Sequence, residues 1–239
     1  MKTILVLYVL LSAASASAGE LAVGSFSSGD LTGWTTKEFK GRTSYSLVKD
    51  NGTTVLKAHS VRSASGLVKE VNLDPRSYPV LRWSWKIQHT LKKEEPGKKS
   101  GDDYAARVYV IFPRTFFWRM RAINYVWSAG MPRGSFAPSP FTANSAIVAV
   151  ESGDEKAGEW LTEERNIYED YRTIFGEEPP RLGGIAVMSD TDNTGDEVTA
   201  WYGDIFIGNE RLDTATGTSP PSRDWRNSPP LHPLNSVPP

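Results

Sequence analysis

Cysteine is absent from all 239 residues. That excludes a disulfide framework, a thiol nucleophile and a lipidated cysteine. Histidine is nearly absent: His59 and His89 are isolated and His232 falls in a Pro-rich end, so neither a histidine metal site nor a Ser-His-Asp triad is suggested. Charge of one sign is lacking too. With 27 basic and 28 acidic residues the net charge is −1, which leaves no electrostatic footprint for nucleic acid. There is no phosphate-cradling glycine motif, no internal repeat and no alternation of strands with helices.

The apolar run Ile4–Leu11 is shorter than the roughly 20 residues needed to span a bilayer. Lys2 precedes it and Ala16-Ser17-Ala18 follows, the pattern of a secretory signal peptide over residues 1–18. The expected location is therefore periplasmic or extracellular, in a bacterium, with no transmembrane segment in the mature chain. At the other end, residues 209–239 hold 7 of the 16 prolines, which excludes helix and central strand and predicts a disordered tail. One domain is expected between them, over residues 24–208.

What is present is strand-like. Short β-branched and aromatic runs at Tyr45–Val48, Thr53–Ala58, Ser65–Val71, Val80–Ile87, Asn124–Ser128, Ala146–Glu151, Trp160–Arg165, Gly184–Ser189 and Val198–Ile207 are separated by turn residues. One helix interrupts them: Ile167, Tyr171, Ile174 and Phe175 share a face, Asn166 can cap its start and Gly176 can end it. The expected fold is mainly β, an antiparallel β-sandwich of jelly-roll type with one short helix.

The organising stretch is Gly101–Phe112. Ala106, Val108, Val110 and Phe112 give it one apolar face, while Asp103, Ala105, Arg107 and Tyr109 give the other a mixed one. A core wall that doubles as a ligand-facing surface is one reading; an ordinary sheet with Arg107 paired to a neighbouring acid is the other. Trp83 and Trp85 share one strand face, either as a stacking platform for sugar rings or as core. Core is expected for at least one of them.

Phe26…Gly29-Asp30-Leu31…Gly33-Trp34 and Trp201-Tyr202-Gly203-Asp204-Ile205 resemble the first and last strands of carbohydrate-binding jelly rolls. Leu81–Lys86, Gly101–Arg107, Asn124–Trp127, Glu164–Ile167 with Asp170, and Ser189–Thr194 resemble the exported bacterial domain-of-unknown-function family 3047. The resemblance implies the sandwich and supplies no activity.

Binding of a glycan on one sheet face is the leading expectation, with Asp103, Arg107, Tyr109 and Trp127 as ligand-binding candidates. A carbohydrate-active hydrolase or lyase on that face would use Glu164 and Asp170 as its carboxylate pair. A structural network, with Asp103 or Glu164 paired to Arg107 or Arg165, competes with both. A third alternative is a periplasmic protein-binding scaffold touching partners through Arg114–Arg121. No cofactor is expected, with Ca²⁺ as a candidate at Asp190 and Asp192. The stretch Asp190–Asp196 is rich in oxygen ligands but places Trp201 where an EF-hand needs Glu, so a simple turn competes with the metal reading.

Overall fold

Val80–Ile87 shows how the fold arises. Its alternate residues Trp83, Trp85 and Ile87 are buried, while Arg82, Ser84 and Lys86 on the other face are half-exposed. The computed structural model describes residues 19–209 and 230–234, so the expected signal peptide and most of the Pro-rich end lie outside the described residues.

The strands in chain order are β1 (Leu21–Gly24), β2 (Trp34–Lys40), β3 (Ser44–Asp50), β4 (Thr53–Val61), β5 (Ala64–Leu73) and β6 (Val80–Ile87). Then come β7 (Ala106–Phe112), β8 (Arg121–Ser128), β9 (Ser135–Ser139), β10 (Thr142–Ser152) and β11 (Leu161–Asn166). After the helix α1 (Ile167–Phe175) follow β12 (Leu182–Asp190), β13 (Glu197–Gly208) and β14 (His232–Pro233). Six strands form one sheet, in the order β11-β6-β13-β4-β3 with β1 added beside β13. Eight form the other, β14-β9-β10-β8-β7-β12-β5-β2. The result is the expected β-sandwich with one short helix. Most pairings are antiparallel, but β8–β10 and β9–β14 are parallel.

Aromatic residues join the sheets. Trp83 of β6 stacks on Tyr125 of β8 at 5.4 Å between ring centroids, and Trp85 meets Trp127 at 6.0 Å. Ala106, Val108, Val110 and Phe112 face the same core and are fully buried. Side chains of this size contribute about 1.5–3 kcal/mol each on burial, so this seam dominates the packing. Both indoles of β6 are core residues, which removes them as a sugar platform.

The helix has its predicted bounds. Asn166 accepts the Glu169 amide at 3.1 Å, and Gly176 ends it in the left-handed conformation at φ 66°. Within the Pro-rich stretch, β14 pairs with β9, and its His232 amide donates to the Gly134 carbonyl at 3.1 Å. A two-residue edge strand tolerates Pro233, because an edge leaves one row of backbone groups unpaired in any case. Among the described residues no helix is long and apolar enough to cross a membrane.

Candidate functional site

The outer face of the eight-stranded sheet carries a groove of about 770 Å³ that crosses β2, β5, β12, β7 and β8 and reaches β9 and β10. Strand register lays out its floor. Arg107, Met188 and Gly66 lie in one row, Tyr109, Ala186 and Val68 in the next, and Ile111 opposite Ala122 beyond them. Small side chains in the middle strands make the depression. On β2 the register slips between Glu38 and Lys40, and this irregularity brings Lys37, Phe39 and Lys40 all to the rim. Phe39 is 66 % exposed there, and Phe141 of the β9–β10 turn is 55 % exposed at the other end.

Arg107 anchors the polar end. Its Nε donates to Asp190 Oδ1 at 2.7 Å and its Nη2 to Asp190 Oδ2 at 2.6 Å, a bidentate pair between buried residues. Nη2 also donates to the Asp102 carbonyl, and Nη1 donates to the Tyr109 hydroxyl at 3.1 Å. The guanidinium lies 4.5 Å over the Tyr104 ring. With its donors committed in this way, Arg107 has no open fork for a substrate carboxylate; it holds the floor together. Burial pushes the Asp190 carboxyl up to about 7 against the pull of Arg107.

Three groups on this floor keep capacity for a ligand. Burial raises the Tyr109 phenol to about 12, so it stays protonated. Its oxygen accepts from Arg107, and among the described residues its own proton goes to no protein acceptor. Beside it, directly opposite in register on β8, Asn124 is 2 % exposed and its Oδ1 has no hydrogen-bond donor. Asp102 Oδ1 is likewise buried without a donor, 4.0 Å from Arg107 Nη1, and burial raises its carboxyl. Unmet buried acceptors cost stability, which makes them the atoms a polar ligand gains most from reaching.

Asp103, Asp190 and Asp192 each present an oxygen within 4.8 Å of the others. Their oxygens are already engaged. Asp103 accepts from the amides of Asn193 at 2.8 Å and Thr194 at 2.6 Å, from the Thr194 hydroxyl at 2.8 Å and from Asn193 Nδ2 at 3.0 Å. Asp190 serves Arg107 and the Tyr104 amide. Asp192 lies 3.6 Å from Lys40 Nζ. This donor set closes the turn after β12, and a cation would have to displace it.

The remaining candidates lie elsewhere: Trp127, Glu164 and Asp170 do not join Arg107 in the groove. Trp127 pairs with Ala106 rather than Arg107, so it points into the core, where its Nε1 donates to the Gly153 carbonyl at 2.9 Å. Glu164 sits on β11 in the other sheet, opposite Arg82. Asp170 accepts from Arg165 at 2.9 and 2.5 Å and from the Tyr125 hydroxyl at 2.6 Å. Arg107 thus pairs with Asp190, and Arg165 with Asp170. Sequence reasoning missed Asn124, Phe39 and Phe141. The alternation of β8 around Tyr125 and Trp127 marked Asn124 as the opposite face; nothing in the sequence marked the slip at Phe39.

Among curated proteins none matches the chain. Among solved structures it resembles the family 30 carbohydrate-binding module of a cellulosomal cellulase of Clostridium thermocellum, at 10 % identity and TM-score 0.44, over 81 % of this chain and 99 % of that one. It also resembles Cellulose induced protein, Cip1, at 14 % identity and TM-score 0.44, over 79 % of this chain and 97 % of that one. A third likeness, at 13 % identity and TM-score 0.41 over 79 % and 95 % of the two chains, is to TmCBM61 in complex with β-1,4-galactotriose. Residues 32–206 match the family described as "Protein of unknown function (DUF3047)", and the chain belongs to that family.

Proposed function

We propose that this protein binds a glycan in the groove on the outer face of the eight-stranded sheet. The observation that carries the reading is the pairing of Tyr109 with Asn124, an undonated phenol proton beside a buried, unmet amide oxygen. Neighbouring sugar hydroxyls each donate and accept, so two of them satisfy such a pair at once. Phe39 at the rim, across β12 and β5 from Tyr109, offers a ring for the C–H face of a further sugar of the same chain. The leader-like residues 1–18 support export, where envelope and extracellular glycans are met.

Hydrolysis or lysis in this groove gains no support from Glu164 and Asp170, because neither lines it. A melting-temperature screen of the mature domain against diverse oligosaccharides tests the binding reading, since a ligand of the folded state raises the transition. A shift with one glycan class that Tyr109→Phe and Asn124→Ala both reduce is the expected result. No shift across a broad panel at high concentration would sink the reading.

A further inference from the structure

The groove changes chemistry along its length. From Arg107 to Ile111 the floor runs four residues along β7, about 13 Å. At the Arg107 end it presents Tyr109, Asn124 and Asp102, with the exposed Phe39 ring beside Lys37 and Lys40. Beyond Tyr109 the floor is Ile111 and Ala122, and it leads out past Met120 and Phe141. None of those four side chains donates or accepts a hydrogen bond. Along the β9–β10 flank Ser139 and Thr142 accept the amides of Phe141 at 3.2 Å and Asn144 at 3.1 Å, and Ser145 of β10 lies opposite Ala122 at the edge of this floor.

A sugar chain is ringed with hydroxyls, and burying one without a partner is costly. A saccharide running the full length of the groove would meet that cost over Ile111 and Ala122. An alkyl chain meets none there and gains from leaving water. The groove's apolar mouth also continues onto exposed surface. Met120 is 47 % exposed, and beyond it the rings of Phe116 and Trp118 stack at 4.9 Å. Asn144 Nδ2 donates to the Trp118 carbonyl at 2.8 Å and ties that turn to the β9–β10 hairpin.

We infer that the glycan taken by this groove carries an alkyl or acyl chain, as a glycolipid does, with the sugar between Phe39 and Tyr109 and the chain over Ile111 and Ala122 towards Met120 and Phe141. The inference rests on the glycan reading of the same groove. A graded ligand with one polar and one apolar end fits a graded floor, and it has one orientation in which both ends are satisfied.

The test is a chain-length series: methyl, butyl, octyl and decyl β-glucosides and β-maltosides, kept below their micelle-forming concentrations, with 1-decanol alongside. Affinity for the mature domain is read by calorimetry. It should rise about tenfold for every two methylenes added and level off when the groove is full. Ala122→Phe, and independently Ile111→Gln, should flatten that rise in protein whose circular dichroism and melting are those of a folded domain. Equal affinity for methyl and decyl glycosides overturns the chain while leaving the glycan reading intact. Decanol binding as tightly as decyl glycoside, with no binding of methyl glycoside, overturns the sugar end and the glycan reading with it. No binding by any member overturns both.

Discussion

Arg107 of β7 and Asp190 of β12 are joined through two charge-assisted hydrogen bonds of 2.7 and 2.6 Å, on adjacent strands, beneath the polar end of the groove. The pair fixes the plane of the guanidinium, and through Nη1 it fixes the Tyr109 hydroxyl as an acceptor towards Arg107. The ion pair therefore orients the group that faces a ligand without itself being open to one.

Removing one partner leaves the other buried and uncompensated. Asp190→Leu and Arg107→Met should each lower unfolding free energy by about 3–5 kcal/mol. The double variant Arg107→Met/Asp190→Leu should lose much less than the sum, because it removes both charges. Urea unfolding of the four proteins reads this directly. Additive losses would mean that the two side chains are not coupled.

Tyr109 and Asn124 should separate binding from stability. Asn124→Ala deletes an acceptor that has no donor, so it should cost well under 1 kcal/mol beyond lost contacts, or none. Glycan affinity should nevertheless fall about tenfold or more, the value of one hydrogen bond in a desolvated site. Tyr109→Phe should act in the same direction with a small stability loss from Arg107 Nη1. If both variants keep full affinity for a sugar that binds the wild type, that sugar sits elsewhere.

Much of the fold is legible in the sequence because alternation survives in the middle strands. Ala106 to Phe112 and Val80 to Ile87 read directly as core walls, and the cap and stop residues fix α1 to the residue. Strands β2 and β9 are less legible. Trp34–Lys40 has charges on both faces, because it is an exposed edge, and Ser135–Ser139 carries a proline, which an edge-proximal strand tolerates. Arg107 and Tyr109 were marked by the mixed face of one strand. Their partners Asp190 and Asn124 come from strands far along the chain, and only register decides such a meeting. Trp127 shows the same limit: one step along β8 separates core from groove.

Asp103 should behave as a structural acceptor rather than a cation ligand. It closes the turn after β12 by accepting two backbone amides, a hydroxyl and a side-chain amide. Asp103→Ala should then cost about 2–4 kcal/mol, through amides left without partners. Ca²⁺ or a chelator should leave the melting temperature of the wild type unchanged. A rise with Ca²⁺ that Asp192→Asn abolishes would show instead that a cation displaces Asn193 and Thr194 from the cluster.

Glu94 makes the pH dependence of stability measurable. It lies in the loop before β7, and its carboxylate accepts from the Ser128 hydroxyl and from the amides of Ala129 at 2.7 Å and Gly130 at 3.4 Å. Burial outweighs those donors and raises the carboxyl to about 7. The folded state thus holds this proton more tightly than the unfolded chain, whose carboxyl titrates near 4.5. The stabilisation from that proton is complete below pH 4.5 and is lost as pH rises through 7, a fall of roughly 3 kcal/mol for such a shift at one group. Urea midpoints should therefore decline between pH 5 and pH 8. Glu94→Gln, which does not titrate, should start less stable, since its amide cannot accept from all three donors, and should show a clearly shallower decline. An identical slope in the two proteins would show that Glu94 does not carry the titration and stays ionised throughout.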